Sequence, residues 1–517
     1  MIGSLIKLFN KNKNHNGNGK HGYTEEDRGF CKVEDLNKNP LKKNELYEMT
    51  YRNTFSRYLP WIAYDDKEMI FYNADNTFGA MWECFPLLFM SDKDVQTMEG
   101  LFRIGLPNGS IMQFILYADP YIDPLLNIYI QRKKYAPDFV FKSMQYLASY
   151  YSDPKALDKI PSRWFRLFVT VKIPESEFYK ISFADVCTSV EETLRAIGLS
   201  PKKLGADFLL AFMRRLFGVY DEDVYSYCNY NELRKQILTS NVNINVENQH
   251  LKIGNKIWRA ITPKSLPPRV DSFWSGFLTG SYEGVSGDIS QINCPFMYVL
   301  NVIFKDLKAK ITSKANIVIA QQSVGTFIAG LARRKDEFMR VFSEMEEGTR
   351  YYEIIPIAWV ISEDESVVRE SIYRVKRLWE STGAVMQEEN ILHMPLFLYS
   401  LPFGMYFDER SLEVLDRTFI VPASVLPCLC PIQADYYGTG SYALLFKGRR
   451  GQVIGMDLFA KGASNYNWYV AAPTGKGKSF FVNYMVCNYY AENVKIRIVD
   501  IGGSYKKLAH IFKGKFI

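Results

Sequence analysis

No two of the eight cysteines (Cys31, Cys84, Cys187, Cys228, Cys294, Cys428, Cys430 and Cys487) form a CxxC pair. Cys428 and Cys430 flank a single leucine, and the ligands that would complete a zinc set are not nearby. This usage excludes a disulfide scaffold and a zinc module, and predicts reduced, buried structural thiols. Long apolar runs are also missing. The charge-free stretches Asn390 to Phe407 and Thr418 to Ala434 fall short of the roughly 20 residues a spanning helix needs. Pro395, Pro402, Pro422, Pro427 and Pro431 interrupt them, so no transmembrane segment is expected. The N-terminus lacks a basic region leading into an apolar one and a small-residue cleavage site, which argues against secretion and for a cytoplasmic location. Charge of one sign is scarce too: 63 basic against 56 acidic residues leaves +7, which does not by itself indicate a nucleic-acid partner.

What is present is globular. Hydrophobic residues make up 47% and charged residues 23%, with a mean hydropathy of −0.15, which excludes collagen, mucin, coiled-coil arrays and wholesale disorder. At 517 residues the chain is too long for one core, so two to four domains are expected. The fold class predicted is α/β multidomain. Residues 1–50 read as a flexible basic tail: Met1 to Lys20 holds four lysines, no acids and asparagine at every second position from 10 to 18. Ile2, Leu5, Ile6 and Phe9 there make too short an amphipathic turn to bind a membrane well. Residues 51–435 read as an α+β docking region of two subdomains, about 51–240 and 241–435, built from ferredoxin-like β-α-β units. Residues 436–517 read as the start of a RecA-like P-loop domain, incomplete at its C-terminal side.

Within the docking region, Met69 to Tyr72 and Phe78 to Phe85 predict neighbouring strands, followed by a helix from Asp92 to Arg103 and a strand from Ile111 to Tyr117. Helix is predicted around Leu125 to Tyr151 with a break near Pro137, then a strand at Arg166 to Ile173 and two further helices. Phe296 to Phe304 and Ala315 to Ala320 predict strands, and Arg333 to Glu347 a charged helix. A strand from Tyr352 to Ile361 leads into Ser362-Glu363-Asp364-Glu365, spaced as a capping box. Val368, Ile372, Val375 and Trp379 follow at helical spacing, and Gly383 predicts the stop.

The chemistry is concentrated near the end. Two strands with a tight turn are predicted across Ala443 to Leu458. Then Asn467-Trp468-Tyr469-Val470-Ala471-Ala472 reads as an apolar strand entering Pro473-Thr474-Gly475-Lys476-Gly477-Lys478-Ser479-Phe480. The pattern G-x-x-x-x-G-K-[ST] is met except that Ala472 stands for the first glycine. Gly475 and Gly477 can take backbone angles closed to other residues, so successive amides converge on a phosphate, and the helix beginning at Lys478 adds its positive dipole end. Lys478 is expected to reach the β and γ phosphates as the catalytic lysine, and the Ser479 hydroxyl to ligate Mg²⁺ of bound ATP. Residues Pro473 to Phe480 form the candidate binding loop. A strand is predicted at Val494 to Asp500. Asp500 follows the P-loop helix too closely to be the expected metal carboxylate, so Asp500 to Tyr505 is read as a turn near the nucleotide. No water-positioning residue can be placed beyond Ser504.

These residues resemble the TraC-type conjugation ATPases of F-like type IV secretion systems. The resemblance is carried by Phe55 to Trp61, Tyr64-Asp65, Pro107 to Phe114, Arg449 to Gln452, Asp457-Leu458-Phe459, Asn465-Tyr466-Asn467, Gly475 to Phe480 and Asp500 to Tyr505. It implies a motor ATPase, assembled as a hexamer and peripheral to the cytoplasmic face of the inner membrane. Such a motor energises pilus assembly and DNA transfer, docks through its N-terminal region on inner-membrane components of the channel, and contacts DNA at most indirectly. A DNA pump of FtsK and HerA type would need a concentrated basic path that the +7 excess does not show. A non-catalytic assembly scaffold would have no use for Lys478.

Overall fold

The computed structural model describes residues 55–153, 160–177, 181–219, 226–238, 242–280, 291–323, 329–461 and 465–517; the predicted N-terminal tail lies outside them. Residues Tyr58–Ile517 form one compact unit. Its first strands are β1 (Trp61–Asp65), β2 (Ile70–Asn73) and β3 (Thr77–Cys84), followed by helix α1 (Asp92–Arg103) and β4 (Ser110–Asp119). Helices α2 (Asp123–Gln131) and α3 (Asp138–Ser152) leave the sheet before β5 (Trp164–Pro174), α4 (Phe183–Ala196), β6 (Lys202–Lys203) and α5 (Ala206–Leu216). The second half holds β7 (Ile244–Val246), β8 (Leu251–Ile253), β9 (Lys256–Ser265), a helical turn at Trp274–Phe277, and β10 (Phe296–Phe304). Next come α6 (Lys308–Ser323), α7 (Ala329–Glu346), β11 (Tyr351–Ser362), α8 (Glu365–Glu380), β12 (Val385–Glu388), α9 (His393–Ser400) and β13 (Phe419–Pro422).

All of these strands join one sheet, and every pairing in it is antiparallel. In the first half, β6-β3-β5-β4 lie side by side; in the second, β12-β9-β11-β10 do. Each half therefore runs strand, helix, strand, strand, helix, strand with spatial order 4-1-3-2, and each places a helical hairpin between its second and third strands. The halves meet through their second strands, β4 and β10, with Phe114 opposite Leu300 and Gln113 opposite Asn301.

The central strands read as near-continuous apolar runs because both faces are covered. All ten residues of β4 and all nine of β10 are buried. One face, carrying Leu167, Val169 and Val171 of β5 with Phe296, Tyr298 and Leu300 of β10, packs in the same cluster as Val186 and Val190 of α4 and Val368, Ile372, Val375 and Trp379 of α8. The other face carries a buried polar row. Gln113 and Asn301 donate from Nε2 and Nδ2 to the Tyr399 carbonyl near the end of α9, at 2.8 and 3.1 Å. A helix leaves its last carbonyls without internal partners, so these amides satisfy one such group and fix α9 across the seam.

Local signals set the helix ends. Ser91 and Asp94 make a capping box on α1, with Ser91 N–H donating to Asp94 Oδ2 at 2.9 Å. At α8 the cap differs from the expected Ser362–Glu365 box: Asp364 Oδ1 accepts from Ser366 N–H at 2.8 Å, and Ser362 Oγ accepts from Asp364 N–H at 3.2 Å. Aspartate two residues before an amide closes that ring more tightly than serine one turn away. Gly383, at φ +92°, ends the helix region as expected. The predicted strand at Ala315 to Ala320 is instead part of α6; Ile317, Val318 and Ile319 favour β locally, but Ala315 and Val318 are buried along the helix and packing overrides propensity. Of the cysteines, Cys84, Cys187, Cys294, Cys428 and Cys430 are buried as expected, whereas Cys228 is exposed and Cys487 half-buried.

Candidate nucleotide site

After β13 the chain forms an antiparallel hairpin of β14 (Leu444–Lys447) and β15 (Val453–Met456), matching the two strands expected there. Its turn docks on the first half of the sheet. Arg163 N–H donates to the Gly451 carbonyl at 2.8 Å, Val453 N–H returns to Arg163 O at 2.9 Å, and Phe165 N–H donates to Gln452 Oε1 at 2.8 Å. Arg450 Nη1 reaches Thr279 Oγ1 at 2.6 Å. Arg450, Gly451 and Gln452 are thus the pins that hold this hairpin to both halves. Gly451 has φ +89°, and a Cβ there would meet the Pro161 carbonyl at 2.4 Å.

The P-loop follows. Lys476 N–H donates to Pro473 O at 3.2 Å, closing a turn, and Gly475 and Gly477 have φ of +78° and +85°. Both glycines are in the left-handed region that the motif reading requires of them. Gly477 immediately precedes helix α10 (Lys478–Tyr490), its carbonyl accepting Phe481 N–H at 2.9 Å, and no side chain caps that helix start. The amides of the first turn, which have no carbonyl four residues back, therefore face outward with the helix dipole behind them. Pro473, Thr474, Gly475, Lys476, Gly477, Lys478, Ser479 and Phe480 are all exposed. Backbone N–H groups without helical partners, a lysine and a serine thus adjoin in sequence here, the residue types that a nucleotide phosphate with Mg²⁺ calls for. Among the described residues no cluster of three His, Cys, Asp or Glu side chains forms a metal set.

Two flanking expectations are corrected. Residues 468–472 and 494–500 form no strand. A parallel strand gains its hydrogen bonds from neighbours on either side, and none of the described strands pairs with either segment; Val494 and Ile496 pack on the β14–β15 hairpin, while Tyr469 and Val499 are 92% and 101% exposed. Asp500 does form the expected turn: its Oδ1 accepts from Gly502 N–H at 3.2 Å and Oδ2 from Ser504 N–H at 2.5 Å.

The sequence did not reveal how α10 is held. Its far end rests on the hairpin and on α2. The Tyr484 hydroxyl donates to Leu445 O at 2.8 Å and accepts from Leu445 N–H at 2.9 Å. The Tyr129 hydroxyl donates to Asn488 Oδ1 at 2.8 Å. Just past the helix, Glu492 is gripped by Arg132 Nη2 at 2.7 Å and by the fully buried Lys133 Nζ at 2.6 Å, while Arg132 also reaches Asp457 Oδ2 at 3.0 Å and Ser441 Oγ. Burial alone would lower the Arg132 pKa, but the Glu492 and Asp457 carboxylates outweigh it and the net shift is upward. For Lys133 burial dominates over the same carboxylate and the shift is downward. Adjacent basic residues at the end of α2 were the available signal, but only the fold brings them to residues more than 300 positions away.

Residues 55–405 match the family model described as TraC protein, and residues 450–517 match that of the TraG P-loop domain. Protein TraC of Escherichia coli (strain K12) is 20% identical over 516 residues, covering 92% of this chain and 58% of that protein. The chain thus spans a little over half the length of the curated relative it matches. The resemblance expected from Phe55 to Trp61, from Pro107 to Phe114 and from the P-loop flanks is borne out, and because the first of these models covers more than half of its residues, the chain belongs to the TraC family.

Proposed function

We propose that the chain is a nucleotide-binding subunit of a type IV secretion or conjugation apparatus, in which ATP hydrolysis by the whole protein energises pilus assembly and DNA transfer. The observation that carries this is the uncapped start of α10, where two left-handed glycines turn free amides toward solvent beside Lys478 and Ser479. Lys478 would neutralise charge on the transferred phosphoryl group, the amides of Gly475 and of Gly477 to Ser479 would seat the phosphates, and the Ser479 hydroxyl would hold Mg²⁺. The metal, when bound with ATP, supplies charge neutralisation on the phosphate oxygens. Each oxygen of Asp500 accepts a backbone amide, which supports reading it as a turn residue.

The 4-1-3-2 order in each half supports reading both as ferredoxin-like units, and the large sheet they share as the docking region for inner-membrane channel components. No helix among the described residues is long and apolar enough to cross a membrane, which fits peripheral association with the cytoplasmic face of the inner membrane. A homo-hexamer is proposed on the family likeness alone. Lys478→Ala is expected to weaken binding of ATP·Mg²⁺ at least about tenfold, read by fluorescent-nucleotide titration, since the lysine is the principal charge on the phosphates. Equal affinity of the two proteins would overturn the motor reading in favour of a scaffold with a structural P-loop.

A further inference from the structure

Burial rises along α10 from its phosphate end to its far end. Lys478, Ser479 and Phe480 are exposed, Phe481 to Cys487 half-buried, and Asn488 and Tyr489 buried. The helix is a rod of 13 residues, about 20 Å at the helical rise, gripped at the end away from the phosphate loop. Carbonyls there lack partners within the helix, and the α2–α3 connection supplies donors: Tyr135 N–H donates to Ala491 O at 3.1 Å and Lys133 Nζ to Asn488 O at 3.4 Å. From the hairpin side, the Tyr489 hydroxyl donates to Asp457 Oδ1 at 3.2 Å and accepts from Leu458 N–H at 2.6 Å.

Arg132 sits where these segments meet. Its guanidinium bridges Glu492, just past α10, to Asp457, just past β15, and also donates to Ser441. A planar fork of donors fixes the angle between its partners in a way that a lysine ammonium does not. One side chain at the end of α2 therefore sets how α10 leans on the β14–β15 hairpin, whose turn is pinned to both halves of the sheet. A phosphate seated on the loop would order the exposed end of the rod. Ordering one end of a stiff element restrains its tilt at the other, so part of the entropy lost on binding is lost at the joint. A tight joint has less freedom left to lose, and nucleotide and joint then favour each other, an effect that linkage makes reciprocal.

We propose that nucleotide at the phosphate loop is coupled to the α2–α3 hairpin through α10, with Arg132 as the positioning residue at the joint. This rests on the nucleotide-site reading above and names how that site is regulated. The test is hydrogen exchange and fluorescent-nucleotide titration of the full chain with ATP·Mg²⁺. In wild type, nucleotide is expected to slow exchange of the Tyr135 amide and of α2, although neither belongs to the phosphate loop. Arg132→Gln should weaken binding about fivefold or more, the lower end for two coupled sites, and abolish that slowing. Tyr129→Phe removes only the hydroxyl that donates to Asn488 and keeps its ring in place. It should weaken binding about twofold, the low end for one hydrogen bond, and it carries the test should Arg132→Gln fail to fold. Arg103→Gln, at an exposed pair on α1, should change neither readout. A merely structural joint would lower the unfolding midpoint of the first two variants while leaving affinity and slowing intact. That result, equal loss of affinity in Arg103→Gln, or binding by wild type without slowing in α2 would overturn the coupling and leave the phosphate-loop reading standing. Wild type that does not bind ATP·Mg²⁺ would overturn that reading and this one with it.

Discussion

His393 shows how one side chain makes stability depend on pH. It is fully buried at the start of α9, its Nδ1 accepting from Ala260 N–H at 3.4 Å and its ring tilted against Trp359. Burial, with the nearby Arg259 charge adding to it, pushes its pKa down to about 4 from 6.5. The unfolded chain therefore takes up a proton as pH falls through 6.5 while the folded chain does not until about 4. This group's penalty is absent above 6.5 and grows as pH falls, reaching about 3 kcal/mol near pH 4. Urea midpoints of His393→Gln should fall less than those of wild type between pH 7 and pH 4.5; parallel profiles would show that folding leaves the His393 pKa where it is in the unfolded chain. A lone histidine carries no spacing signal, so this was not legible in the sequence. The turn of the phosphate loop was, because its signal is local: Gly475 and Gly477 take the left-handed angles the motif asks of them.

At the scale of elements, α10 connects the phosphate loop to the rest of the protein. One end bears Gly477 and Lys478; just past the other, Glu492 is held by Arg132 and Lys133. Removing the carboxylate leaves the buried Lys133 ammonium without its counter-charge, and breaking a buried pair from one side costs about 3 kcal/mol or more. Glu492→Gln should therefore lower the unfolding midpoint substantially, whereas Glu99→Gln, whose partner Arg103 is exposed, should change it by less than about 1 kcal/mol. Similar losses from the two would show that the grip on α10 is not buried in solution. Helices and strands with their own strong pattern were readable, α1 and β10 to the residue. The missed elements depended on neighbours: α6 became a helix through packing on α7, and residues 468–472 and 494–500, though β-prone, have no described strand to pair with. The pairing of β4 with β10 was beyond sequence reasoning too, since the two strands are nearly 200 residues apart.

Across the whole molecule, the continuous sheet makes the two halves energetically one body. Leu300, opposite Phe114 at the seam, is buried in the cluster that spans both, and Leu300→Ala is expected to cost about 3 kcal/mol. Hydrogen exchange should then quicken in β5 on one side and β11 on the other together. Loosening confined to β11 would mean that the halves unfold independently. Every strand of the first half precedes residue 204 and every strand of the second follows residue 243, so the β4–β10 ladder is where two consecutive stretches of chain are zipped together. A gene cut between those positions would yield two fragments, each with a long, greasy, unpaired strand at its border. Neither should stay dissolved by itself, yet made together they have the complementary borders needed to reassemble, so the family's architecture lends itself to splitting and reconstitution.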